Sequence, residues 1–209
     1  MLVVHHLNDS RSQRILWLLE ELAAPYEIKR YQRDATTRLA PPELKAVHPL
    51  GKSPVITDGA NTVIESGAII DYIVRRHGGG RLAPSIGSDA YETYNQWLHY
   101  AEGSAMLPLM LNMYTGRLGE AAAPLKPRID SEIANHLGYV NAALEGRDWL
   151  LGGDEVSAAD MQMSFVGEVT GAFGRLDQYP NIKAWVERFQ KRPAYKAALE
   201  KGGVYSFAR

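Results

Sequence analysis

Two rhythms of apolar residues divide the chain. Over residues 1–80, short runs with the period of a strand interleave with stripes of helical spacing. Leu2-Val3-Val4-His5-His6-Leu7 reads as a strand, and Asn8-Asp9-Ser10-Arg11-Ser12 interrupts it with turn and capping residues. Ile15, Leu16, Leu18, Leu19 and Leu22 then share a helical face that ends near Ala24-Pro25, and Tyr26 to Tyr31 alternates as a second strand. The polar, proline-bearing stretch 33–47 leaves room only for a short helix around Pro42 to Ala46. Val55-Ile56-Thr57 and Thr62-Val63-Ile64 predict two strands about the turn Asp58-Gly59, and Ala68 to Arg76 predicts a helix closed by Gly78-Gly79-Gly80. The order is β-α-β followed by β-β-α.

After Arg81-Leu82-Ala83-Pro84 the strand signals stop. Asp89 to Arg117 carries one long helical pattern, which Pro108 is expected to bend. Further helices are predicted over Pro124 to Leu144, from Ser157-Ala158-Ala159-Asp160 through Val169, over Pro180 to Phe189, and over Pro193 to Lys201. The change from β/α to all-α falls at a Gly/Pro-rich joint near 78–86, so two domains are expected, 1–80 and 86–209.

Composition narrows the chemistry more than the fold. With 45% hydrophobic and 22% charged residues and a net charge of −1, nothing in the 209 residues favours nucleic acid or an anionic membrane. No apolar run reaches the roughly 20 residues that span a bilayer, and the expected compartment is the cytoplasm. Cysteine is absent, which excludes disulfides, thiolate nucleophiles and cysteine metal sites; thiol chemistry here needs a thiol carried by the ligand. His5-His6 suggests a metal pair, but adjacent strand residues point to opposite faces and no metal is expected.

The densest stretch is 48–66. Pro54 cannot donate to a β-ladder, so Ser53-Pro54 belongs at a strand entrance, a bulge or a tight turn, where a cis bond costs little. Glu65-Ser66 stands where a strand gives way to a helix, with Ser66 as the expected N-cap and helix amides facing any approaching anion. A proline turn beside a helix start suggests a pocket for an extended, carboxylate-bearing ligand. Upstream, Ser10-Arg11-Ser12-Gln13 has the spacing of a capping box, with Ser10 as N-cap. Ser157 and Asp160 have the same spacing and read as a folding motif.

Taken together in order and spacing, Asn8-Asp9-Ser10-Arg11-Ser12, Gly51-Lys52-Ser53-Pro54-Val55, Glu65-Ser66, Ser157-Ala158-Ala159-Asp160, and Tyr179-Pro180-Asn181-Ile182 with Trp185 resemble the cytosolic glutathione S-transferase family over nearly the whole chain. The resemblance implies a thioredoxin-like first domain and an all-helical second. It is nearest the serine-type bacterial, fungal and plant branches, since histidines stand where other branches place tyrosine and cysteine is missing. It implies glutathione as co-substrate, with Ser10 donating a hydrogen bond to the thiol sulfur; Ser12, Asn8 or a backbone amide are the alternatives. Such a donor favours the thiolate, and a shift of about two pKa units corresponds to roughly 2.7 kcal/mol.

By the same resemblance Glu65 and Ser66 hold the γ-glutamyl end, Ser53 pairs through its backbone beside Pro54 and Val55, and Lys52 faces the glycyl carboxylate, while His48 has no assigned part. Tyr100, Met106, Leu107, Met110, Tyr114 and Phe207 are expected to form a pocket for an apolar electrophile. A homodimer is implied, with Glu102 near the neighbour's ligand. The function expected is conjugation of glutathione to small apolar electrophiles. A glutathione carrier with little turnover, or an isomerase, peroxidase or dehalogenating enzyme on the same scaffold, are the alternatives.

Overall fold

The computed structural model describes residues 1–208, which form two compact units, 1–84 together with 189–208, and 85–188. In the first unit, strands β1 (Leu2–Leu7), β2 (Glu27–Tyr31), β3 (Val55–Asp58) and β4 (Asn61–Ile64) make one mixed sheet in the order β2-β1-β3-β4. β1 runs parallel to β2 with Val4 opposite Ile28, and antiparallel to β3 with His5 opposite Val55. β3 pairs antiparallel with β4, Val55 opposite Ile64. The helix between β1 and β2, α1 (Ser12–Leu22), supplies the crossover that a parallel pair requires.

The two faces of β1 go to different partners, as a period of two dictates. Leu7 packs with Tyr31 of β2, Val55 of β3 and Leu44 of the short helix α2 (Glu43–Val47). On that face His5 meets the Tyr31 hydroxyl at 2.9 Å and Thr57 Oγ1 at 3.2 Å. His6, on the opposite face, turns toward α1. Helix α3 (Ser66–Arg76) follows β4.

The unit also takes in the last stretch of the chain, which the sequence reading assigned to the helical domain 86–209. Helix α9 (Pro193–Gly202) lies along α1. Fully buried Trp17 stacks on Phe189 at 5.2 Å and meets the edge of Tyr195 at 5.6 Å. Arg192 pairs with Glu21 at 3.0 Å and Lys201 with Glu20 at 2.6 Å. A helix whose residues from Ser12 to Leu19 are all buried needs cover on more than one side, and α9 provides it.

The second unit is helical: α4 (Asp89–Tyr100), α5 (Met106–Thr115), α6 (Lys126–Ala143), α7 (Ala158–Ala172) and most of α8 (Pro180–Gln190). The bend expected at Pro108 takes a definite form. Proline has no N–H for the fourth carbonyl behind it and its ring crowds that carbonyl. The preceding turn, Ala101–Ala105, widens into a π-helix in which the Met106 amide reaches the Ala101 carbonyl. Helix α7 is buried from Ala158 to Gly171. Its start carries the expected capping box: Asp160 accepts from the Ser157 amide at 3.0 Å and the Ser157 hydroxyl at 2.7 Å. The other oxygen of Asp160 accepts from the Leu150 amide at 2.9 Å and Trp185 Nε1 at 3.0 Å. Burial pushes the Asp160 pKa up, and the four donors act against it.

Candidate active site

The register of the sheet brings three loops to one end of the first unit. Val55 lies opposite both His5 and Ile64, so the exit of β1, the entrance of β3 and the exit of β4 share that end. They carry Ser10, Ser53-Pro54 and Glu65-Ser66 respectively. The Ser53-Pro54 peptide is cis, and the Ser53 hydroxyl donates to the His5 carbonyl at 2.9 Å. Ser53 Oγ lies 3.5 Å from Ser10 Oγ. Ser10 Oγ in turn is 2.7 Å from Ser12 Oγ and accepts from the Ser12 amide at 3.2 Å. Three serine hydroxyls from two loops therefore converge on one point.

The capping box expected at Ser10 is not formed. Helix α1 starts at Ser12 with Arg11 as N-cap and no side-chain cap bond, and the side-chain carboxamide of Gln13 is buried without a hydrogen-bond partner among the described residues. The loop is held instead from β2 onward. The Asn8 side-chain oxygen accepts from the Arg33 amide at 2.8 Å, its nitrogen donates to Asp9 at 3.3 Å, and Arg38 pairs with Asp9 at 2.7 Å. Asn8 is thus committed to the loop's own framework, which leaves Ser10 and Ser12 as the hydroxyls at the point of convergence.

At the exit of β4 the helix start is shifted by one residue from the sequence reading. Ser66 is the first residue of α3 and Glu65 is the N-cap, with φ 66° and ψ 118°. A left-handed φ is strained for any residue with a Cβ, and strain of this kind gathers at ligand sites. The Glu65 side chain is exposed and makes no hydrogen bond or ion pair among the described residues. Ser66 is 4% exposed, and the buried guanidinium of Arg14 donates to its hydroxyl at 3.4 Å. An exposed carboxylate, a helix N-terminus and a buried cation beneath it are the groups that an ammonium and a carboxylate of one ligand could meet. Arg14 was missed in the sequence, although a charged residue among Ile15, Leu16 and Leu18 was the available signal.

Lys52 is exposed and has no ion-pair partner among the described residues, so its ammonium is free for an anion. Pro54 and Val55 are buried. His48 Nδ1 accepts from the Leu50 amide at 3.4 Å and stays within its own turn. His5 and His6 engage separate partners on opposite faces of β1.

The residues expected for an electrophile pocket fall in both units. Phe207 belongs to the first, its ring 5.3 Å from that of Tyr205. In the second, Met106 is 1% exposed and fills the interior, which corrects its expected place on a pocket wall. Leu107, 57% exposed, lines a cavity of about 320 Å³ with Pro108, Leu111, Ile129 and His136. Tyr100 lines another, of about 430 Å³, with Trp97 and Tyr139. The Tyr100 hydroxyl lies 2.7 Å from His136 Nδ1, and burial with Tyr139 nearby pushes its pKa up to about 12. Met110 is half-buried and Tyr114 exposed, and neither is among the lining residues of these two cavities.

A mixed sheet in this order, a cis-proline at the entrance of β3 and a following helical unit define a thioredoxin-like domain joined to an all-helical one. The family models agree: residues 1–75 match the glutathione S-transferase N-terminal domain and residues 91–193 the C-terminal domain. Glutathione S-transferase 3 of Schizosaccharomyces pombe is 35% identical, over 96% of this chain and 88% of its own length. Glutathione S-transferase 1 of Saccharomyces cerevisiae is 31% identical, over 95% and 94%. Among solved structures, a glutathione S-transferase from Actinobacillus pleuropneumoniae superposes with a TM-score of 0.91 at 33% identity, covering 100% of this chain and 96% of that one. A glutathione transferase family member from Pseudomonas fluorescens pf-5, with two glutathione bound, gives 0.79 at 27% identity, covering 95% and 92%. The chain belongs to the glutathione S-transferase family.

Proposed function

We propose that this glutathione S-transferase is of the serine type, with Ser10 as the group that activates the thiol. The observation that carries the reading is the convergence of Ser10, Ser12 and Ser53 hydroxyls beside the proline turn. Glutathione is the co-substrate. Its γ-glutamyl ammonium meets the unpaired Glu65, its α-carboxylate the Ser66 hydroxyl and the α3 amides, and its glycyl carboxylate Lys52. The extended cysteinyl part runs along Ser53, Pro54 and Val55, which carries the sulfur toward Ser10.

There the Ser10 hydroxyl donates to the sulfur. A donor favours the ionised form over the neutral one, so the thiol loses its proton to solvent at a lower pH. The thiolate attacks an electrophilic carbon, a new C–S bond forms, and the electron pair leaves with the displaced group or opens the ring. The protein supplies position and polarisation and forms no covalent bond of its own. A small apolar electrophile is supported by the exposed Leu107 and Tyr114 on α5, with Tyr100, Met110 and Phe207 as further candidates. The work is detoxification, carried out by a homodimer in the cytoplasm, the compartment whose thiol buffer is glutathione.

The experiment is Ser10→Ala, assayed for glutathione binding and for conjugation of an aryl halide. One hydrogen bond to a charged sulfur is worth about 1.5–3 kcal/mol, so turnover at neutral pH falls roughly 10- to 100-fold while affinity stays within a few-fold. Unchanged turnover overturns the assignment. Retained glutathione binding by the unaltered protein, with no conjugation of aryl halides or epoxides, marks a carrier instead.

A further inference from the structure

Behind Ser10 runs a line of buried polar groups that the thiol chemistry leaves without a part. Ser10 and His6 are each 3% exposed and Ser12 is fully buried. Ser12 Oγ lies 2.7 Å from Ser10 Oγ and 2.8 Å from His6 Nδ1. The far nitrogen of His6, Nε2, faces Gly202 at the end of α9, whose backbone favours a proton on that nitrogen.

The proton order along this line follows from counting donors. Burial, with Arg30 nearby, lowers the His6 pKa to about 4, so the imidazole is neutral and carries one proton. With that proton on Nε2, facing Gly202, Nδ1 is an acceptor. The hydrogen in reach of Nδ1 is that of the Ser12 hydroxyl, which lies 2.8 Å from Nδ1 and farther, 3.3 Å, from its other acceptor, the Leu7 carbonyl. Ser12 has only one, and its oxygen is then left to accept, from the Leu7 amide at 3.3 Å and from Ser10. On the other side of Ser10 the Ser53 proton is already spent on the His5 carbonyl. Both neighbouring hydroxyls therefore have committed protons, and neither can donate outward.

We propose that His6 is a positioning residue that decides which hydroxyl activates the thiol: by taking the Ser12 proton it leaves Ser10 as the hydroxyl free to donate to the glutathione sulfur. This rests on the reading of Ser10 given above. Ser10 keeps its proton on Ser12 Oγ while no thiolate is present, and turns it to the sulfur when one forms. Ser12 remains satisfied by the Leu7 amide during that turn. A proton shift along the line to make an imidazolium plays no part, because a base with a pKa near 4 cannot hold a thiol's proton at neutral pH.

The test is a double-mutant cycle read on the thiol of bound glutathione, from the ultraviolet absorbance of the thiolate against pH. Ser10→Ala lowers the thiolate fraction at neutral pH about 10- to 100-fold in the native background. In a His6→Phe background the Ser12 proton keeps only the longer contact to the Leu7 carbonyl at 3.3 Å and can turn to the sulfur, so Ser10→Ala costs less than about half that shift in pKa units. His6→Asn, which retains an acceptor near the Nδ1 position, restores the full effect of Ser10→Ala. An equal effect of Ser10→Ala in the native and His6→Phe backgrounds overturns the role of His6. No effect of Ser10→Ala in the native background overturns the Ser10 reading itself, and so separates the two failures. Ser12→Ala tests the same claim without touching His6: the thiol pKa stays where it is or falls, and a rise like that of Ser10→Ala overturns the proposal.

Discussion

Stability and ligand affinity should move in opposite directions at Glu65. Its backbone sits at φ 66° and ψ 118°, its side chain is exposed and unpaired, and its carbonyl still accepts the Ile69 amide at 2.8 Å as the first bond of α3. Glu65→Gly removes the Cβ that makes this conformation costly, a relief of about 1–3 kcal/mol. Glycine gives back roughly 0.5–1 kcal/mol through its greater freedom in the unfolded chain. From the middle of the two ranges the net gain is about 1 kcal/mol, a rise in Tm of roughly 2–4 °C for a chain of this size. The same change deletes the acceptor for the ligand's ammonium, a charged hydrogen bond worth about 1.5–3 kcal/mol, or roughly 10- to 150-fold in Kd. Glu65→Ala keeps the Cβ and so loses the affinity without gaining the stability. Thermal scans without ligand and calorimetric titration with glutathione measure the two quantities separately. A glycine variant that melts no higher than the alanine variant refutes the strain argument, and one that binds glutathione as tightly as the native protein refutes the assignment of the carboxylate.

Two further outcomes follow from buried groups. His6, with a folded pKa near 4 against an ordinary 6.5, resists protonation in the fold, so its contribution to stability is complete above pH 6.5 and is lost as the pH falls from there toward 4. Between pH 7 and pH 5 that loss is about 2 kcal/mol; urea unfolding of His6→Phe at the two pH values should lack it, and an equal pH dependence in both proteins would count against a neutral, buried imidazole. Asp160→Asn turns one side of a group that accepts from four donors into a donor itself, leaving two of those donors without an acceptor. The expected loss is about 3 kcal/mol, a fall in Tm of roughly 6–12 °C at fixed protein concentration, and a fall below 2 °C would contradict the four-bond account.

Much of the fold was legible because its signals are local. The β-α-β and β-β-α order, the strand entrance at Pro54 and the capping box of Ser157 and Asp160 each depend on residues a few positions apart, where propensity and pattern act. The place of the last stretch was not legible. Trp17, Phe189 and Tyr195 lie in three separate helices, and only the packed chain shows that they form one aromatic cluster. The two caps went wrong for a shared reason. Ser10 and Ser66 have the residue type that caps a helix, yet each sits where a ligand-facing loop sets the backbone, and the helix starts were displaced to Ser12 and Ser66 by that geometry.

That displacement links the local error to the chemistry. A serine used as an N-cap spends its oxygen on an amide two or three residues ahead inside the helix and points along the helix axis. Ser10, one residue before the actual cap, likewise accepts from an amide two residues ahead, that of Ser12 at 3.2 Å, and a hydroxyl that accepts there can still donate its proton at the point where Ser53 also arrives. Ser66, one residue inside α3, leaves the N-cap position to Glu65, whose strained backbone holds a bare carboxylate beside the helix amides instead of folding a side chain back over them. At Ser10 the proton, and at Glu65 the carboxylate, remain available to a ligand. The departures from ideal helix starts are therefore the places where the thiol and the γ-glutamyl end of glutathione are expected to be held.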